Sequence, residues 1–213
     1  MRWIKGYGFL VGLILFNTLI FLAQSLLPPA GEVRVIRAFG LSSVGLESGA
    51  WWEFLTHAFL HGNIWHLLLN MVSLWFAGRI VLEEIGTSKF LLLYVLAAIG
   101  GGIGQLLLGP QGVELIGASG AIFGVILALT TIFAEQQILA LLFFVIPIRV
   151  KAKYLGYGFL AATVGMMVFN FEPWIGHAAH LGGAVTGILF ARALGYGRKR
   201  KIRAPAPHSG PHF

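Results

Sequence analysis

The chain has 213 residues, a mean hydropathy of +0.83 and only 11% charged residues. Soluble domains carry roughly 25% charge, so an ordinary soluble core is excluded. The absence of cysteine removes disulfides, thiol catalysis and thiolate metal sites. The formal charge of +7 sits beside apolar segments and in the tail, where anionic lipid is a simpler partner than nucleic acid.

Repeated apolar runs of about 20 residues read as membrane spans. They are continuous, without the two-residue alternation of barrel strands, which favours helices. After a short basic start at residues 1–5, a first span is expected at about 8–26, and Pro28 and Pro29 stop it. No small-x-small cleavage site follows Leu27, so this run reads as a retained span. Residues 28–62 contain apolar pieces at 33–41 and 51–60 that are too short to cross a bilayer. Their charges and the Trp51–Trp52 pair predict a structured interfacial first loop.

Spans 2 and 3 are expected at about 64–82 and 90–108, and Gly100, Gly101, Gly102 and Gly104 would let span 3 approach a neighbour closely. Span 4 is expected at about 118–133. The apolar run at 138–148 is only about 11 residues long and contains Pro147, so a surface-lying piece is expected there. Spans 5 and 6 follow at about 154–169 and 178–194. Residues 196–213 are basic, then rich in Pro, His and Gly, and predict a disordered tail. The expected fold is therefore all-α, a six-helix transmembrane domain over residues 1–195.

Lysine and arginine counting orients the spans. With the N-terminus inside, 13 of the 15 basic residues fall on inner segments, and only Arg34 and Arg37 fall outside. Both termini are then cytoplasmic. A seventh span at 138–148 would put the basic group Arg149, Lys151 and Lys153 opposite the basic tail, which argues against it.

In this topology spans 2, 4 and 6 all enter from the outer side. His66 and Asn70 lie near the start of span 2, Ser119 at the start of span 4, and His177 and His180 at the start of span 6. These polar groups therefore share a depth. Ionisable residues inside spans are costly and usually face the bundle interior or a water-filled cavity. A serine and a histidine at one depth suggest a nucleophile and its general base. Gly117, Ala118, Gly120, Ala121 and Gly124 leave the hydroxyl of Ser119 uncrowded. Gly183 and Gly187 form a G-x-x-x-G on the His180 face of span 6, suited to close contact with span 4. His66 and Asn70, four apart, share a helix face, and with the unpaired Ser119 backbone N–H they suit an oxyanion. No acidic residue lies in a span at this depth, so a Ser–His dyad is simpler than a triad. Ala121 rules out the G-x-S-x-G elbow of soluble hydrolases.

A serine in a membrane helix ordinarily packs and bonds back to a carbonyl, and it is the histidine at matching depth that tips the balance. His57 and His61 read as wet loop positions or local hydrogen bonds, His177 as structural, and His208 and His212 as solvated tail residues. Five histidines near one membrane face raise a metal or haem site. Only His66 and His180 are expected inside, however, with no carboxylate or third buried histidine beside them. A small transporter would show an inverted repeat or matched broken helices, and neither is evident.

The motifs Gly117-Ala118-Ser119-Gly120, His66-x-x-x-Asn70 and His180-Leu181-Gly182-Gly183, in this order and on these spans, resemble the rhomboid intramembrane serine proteases over residues 1–195. The stretch from Ile146 to Tyr154 also resembles the segment before span 5 in bacterial members. The resemblance implies Ser119 as nucleophile, His180 as general base, and His66 and Asn70 as oxyanion partners, with Gly117, Gly120, Phe123 and Gly183 in support. It implies a site free of cofactor and metal, single-span membrane proteins as substrates entering beside span 5, and a bacterial plasma membrane. Phe123, four residues after the serine, stands where an aromatic ring can pack on the catalytic imidazole. The first-loop Trp-Arg pair common in the family falls on Trp52 and Glu53 here, a departure that bears on loop anchoring more than on chemistry. An inactive, substrate-binding relative is the alternative within this family; it would lack the serine or the histidine, and this chain has both.

Overall fold

The computed structural model describes residues 2–110, 112–142, 146–172 and 175–197. Most of the predicted tail, including His208 and His212, lies outside them. The described chain is largely helical. A long helix α1 (Arg2–Ser25) is followed by α2 (Pro29–Phe39), the short helices α3 (Ser43–Glu47) and α4 (Glu53–Thr56), and a 3₁₀ turn at His57–Phe59. Then come α5 (Ile64–Ile85), α6 (Thr87–Leu108) and α7 (Ser119–Ile132), the strands β1 (Gln137–Leu142) and β2 (Ile146–Lys151), and finally α8 (Ala152–Val168) and α9 (His177–Ala193).

Three of these helices are long and apolar enough to cross a membrane: Tyr7–Ser25 within α1, then α5 and α6. Helix α7 is apolar but shorter. The boundaries follow local chemistry. Proline at the first turn of α2 costs no hydrogen bond there. Asn63 caps α5 by accepting the backbone N–H of His66 at 2.9 Å. Gly86, at φ +80°, ends α5 and starts α6, a backbone angle that glycine adopts without a Cβ penalty.

The stretch between α1 and α5 is ordered by its own hydrogen bonds. The buried Glu53 carboxylate accepts the Ser42 N–H at 3.0 Å. Thr56 Oγ1 donates to the Phe39 carbonyl at 2.7 Å, and the Trp52 indole donates to the Ala38 carbonyl at 2.9 Å. Glu53 thus anchors this segment from inside.

Helices α6, α7 and α9 meet along a seam of small residues. A Cβ on Gly183 or Gly187 would land on the carbonyl oxygens of Gly120 and Gly124, and one on Gly104 would strike α9 at the Ala178 carbonyl. In lipid no hydrophobic force drives helices together, so backbones that can approach this closely gain association from packing. A larger cluster, including Leu10, Leu74, Phe90, Leu93 and Val125, joins α1 and α5 to α6 and α7.

The all-α expectation needs one correction. Strands β1 (Gln137–Leu142) and β2 (Ile146–Lys151) pair antiparallel, with Gln137 opposite Lys151 and Leu139 opposite Arg149. The continuous apolar run hides a two-residue alternation on its second half, Ile146, Ile148 and Val150 against Pro147, Arg149 and Lys151. A two-stranded hairpin has open edges whose backbone groups hydrocarbon cannot satisfy, so it is not a crossing segment.

Candidate active site

Helix α7 begins at Ser119 without a side-chain cap, and its first intrahelical bond comes from the Ile122 N–H to the Ala118 carbonyl at 3.0 Å. The N–H groups of the first turn, that of Ser119 among them, therefore have no partner within the helix. Helix α9 begins at His177, one turn before His180. The glycine seam holds these two helix starts together. Ser119 Oγ lies 2.8 Å from His180 Nε2, within hydrogen-bond reach. Ser119 is half-buried, and His180 is only 9% exposed.

The imidazole of His180 is held on its faces and edge. Phe123, one turn along α7 from the serine, stacks on it with ring centroids 4.2 Å apart and planes 2° from parallel. Phe159 of α8 meets Phe123 edge-on at 5.9 Å, backing that ring. His177 lies edge-on to His180 at 6.0 Å, and its Nε2–H donates to the Phe171 carbonyl at 2.9 Å. His177 therefore ties the α8–α9 connection to the start of α9.

His66 reaches the same place from α5. A Cβ on Gly117 would meet His66 Nε2 at 2.6 Å and lie 3.8 Å from Ser119 Oγ. Both polar atoms thus surround the point where residue 117 carries no side chain. Gly117 also has φ +118°, so two independent features require glycine here. Asn70 is buried, and its amide donates one N–H to the His66 carbonyl at 2.9 Å. The other amide N–H is free of that bond. Gly120 and Gly183 stand in the seam beside the pair.

Two expectations about histidine are overturned. His57 and His61 are not wet: they are 1% and 0% exposed, and His177 is 7% exposed, so these three are buried with His180, whereas His66 is only half-buried. His61 packs edge-on against His66 at 5.1 Å, and its backbone N–H donates to Gln24 Oε1 of α1 at 3.2 Å. Burial pushes the His57 imidazole down to about 4, and burial together with nearby His66 does the same for His61. Both rings are therefore neutral at pH 7. The spacing His57-x-x-x-His61 just before His66 was the available signal, but the covering chain comes from α1. Among the described residues, no three His, Asp or Glu side chains converge as a metal would require.

The sequence is similar to known proteins of one family. Residues 48–197 match the Rhomboid domain family. The chain is 31% identical to the rhomboid protease GluP of Bacillus subtilis over 77% of its length, and 33% identical to Rhomboid protein 1, mitochondrial, of Saccharomyces cerevisiae over 69%. It is 30% identical to the rhomboid protease GlpG of Yersinia pestis over 66%. These matches span 30%, 44% and 47% of the respective relatives. A family match over most of the chain, joined to apolar helices of membrane-crossing length, makes this an integral membrane protein that belongs to the rhomboid family.

Proposed function

We propose that the chain is an intramembrane serine endopeptidase of six spans, cleaving single-span membrane proteins near the outer face by a Ser119–His180 dyad. The observation that carries this reading is the 2.8 Å approach of Ser119 Oγ to His180 Nε2 beneath the stacked Phe123 ring. The six spans are α1, α5, α6, α7, α8 and α9; α8 and α9, at 17 residues each, are at the short end of the spanning range, and α7, at 14, is shorter still. The first loop lies at the outer interface, in keeping with exposed Trp51 and Trp52. The Lys/Arg bias supports cytoplasmic ends for the domain, and the compact six-span form supports a bacterial plasma membrane.

In the mechanism, Ser119 Oγ–H donates to His180 Nε2, and Oγ attacks the scissile carbonyl as His180 takes the proton. Negative charge collects on the carbonyl oxygen. It is met by the Ser119 backbone N–H, by His66 Nε2–H and by the Asn70 amide N–H not spent on His66. His180 then protonates the leaving amine, and water hydrolyses the acyl-enzyme. The site is open to water because Ser119 is only half-buried. Substrate entry beside α8 is supported by that helix's light packing: it buries only Ala152, Gly156 and Thr163.

The test is cleavage of a model single-span substrate in vesicles by wild type, Ser119→Ala and His180→Ala. Each variant is expected to lose at least about 10³-fold in kcat, with unchanged melting temperature. Wild-type-like cleavage by either variant refutes the dyad. A wild type that neither cleaves nor reacts with a serine-directed fluorophosphonate is the binding protein instead.

A further inference from the structure

The ends of α7 and α9 opposite Ser119 and His180 enclose a second feature. A cavity of about 110 Å³ opens between the C-terminal part of α7, the start of α8 and the end of α9. That is room for a small polar group, since a water takes up about 30 Å³. Its lining includes Lys153, Arg192, Thr130, Thr131, Tyr157 and Gly197, with both threonine hydroxyls donating to the Leu127 carbonyl. The inner wall is apolar, formed by Leu127, Leu160 and Ile188. Gly197, at φ +71°, brings the chain after α9 back against Thr131. The Tyr196 hydroxyl fixes that segment by donating to Glu84 at 2.8 Å.

The electrostatics favour an anion. Two acidic groups stand near the cavity. Glu84 accepts from Tyr196, and Glu135 is bonded to Lys153 at 2.6 Å and to Lys151 at 3.0 Å, which hold its carboxyl down to about 2. Of the two cations that line the cavity, Lys153 shares Glu135 with Lys151, and Arg192 is in neither ion pair. Among the described residues Arg192 has no carboxylate within ion-pair distance. Beyond the polar mouth, Tyr157, Val164 and Val168 lie on one exposed face of α8, an apolar track leading away from the cations. A cationic mouth at the end of a membrane helix, with an apolar track beside it, matches a phospholipid better than a soluble anion.

We propose that this cavity binds the phosphate of an anionic phospholipid between Lys153 and Arg192, with an acyl chain lying along α8. Basic pockets between helices on the cytoplasmic side are a recurrent way of holding acidic headgroups. The proposal does not depend on the serine chemistry, because the cavity lies at the other end of α7 and α9.

The experiment measures the melting temperature of the full chain in neutral detergent with added phosphatidylglycerol, phosphatidylcholine or inorganic phosphate. At saturating phosphatidylglycerol a rise of roughly 5 to 10 °C is expected, with no comparable rise from the other two. Arg192→Gln and Lys153→Gln should each lose more than half of that rise, whereas Arg34→Gln should keep it. Melting without added lipid controls for folding of the variants. Equal rises with phosphatidylcholine, or full rises in both cavity variants, overturn the proposal. An equal rise with inorganic phosphate overturns the lipid as occupant and assigns the cavity to a free anion.

Discussion

Ser119 owes its character to neighbours more than to its own identity. A hydroxyl at a helix start is ordinary; here it meets His180 at 2.8 Å, and Phe123 fixes the plane of that imidazole. A stacked aromatic pair contributes about 0.5–1.5 kcal/mol beyond buried area. Phe123→Ala is therefore expected to lower kcat by about threefold to tenfold, and Phe123→Tyr to stay near wild type, in the cleavage assay. An unchanged kcat in Phe123→Ala would reduce the ring to packing. The approach of the proposed site residues Ser119 and His180 was legible because both stand at helix starts, which the proposed topology sets at one depth. His57 and His61 were not legible in this way. Their burial comes from chain far away in sequence, as the bond from His61 to Gln24, 37 residues distant, shows. A local reading of a polar loop contains no such term.

At the scale of elements, apolar length located α5 and α6 but set their shared boundary too early on one side and too late on the other. The helices run to Ile85 and from Thr87, because the polar residues Glu83, Glu84, Ser88 and Lys89 lie within helix while the turn itself needs only Gly86. The hairpin was missed for a related reason: hydropathy summed over residues 138–148 conceals the strand alternation that begins at Ile146. The glycine seam, by contrast, was foreshadowed by spacing, and its tolerance can be measured. At Gly183 even a Cβ lands on the Gly120 carbonyl, whereas at Gly158 nothing lies within 4 Å. Overpacking costs about 1–3 kcal/mol or more, so Gly183→Leu should lower the melting temperature by about 5 °C or more. Gly158→Leu should leave it near wild type. Equal melting of the two variants would mean that α7 and α9 are not pressed together as described.

For the whole molecule, the lack of cysteine makes the proposed topology directly accessible. Single cysteines at Ser88→Cys and Gln136→Cys should react with an impermeant maleimide only from the cytoplasmic side, and Val113→Cys only from outside. Labelling of Val113→Cys and Ser88→Cys from the same side would refute the six-span order. The seam has a further consequence, for heredity. Along Gly101, Gly104, Gly120, Gly124, Gly183 and Gly187 backbone meets backbone or the smallest side chains. Every amino-acid replacement at a glycine codon enlarges the residue, so no variation there is conservative in volume. Replacements at these glycines are therefore expected to be poorly tolerated although they carry no functional group, and reactive side chains alone would mark too few of the intolerant sites.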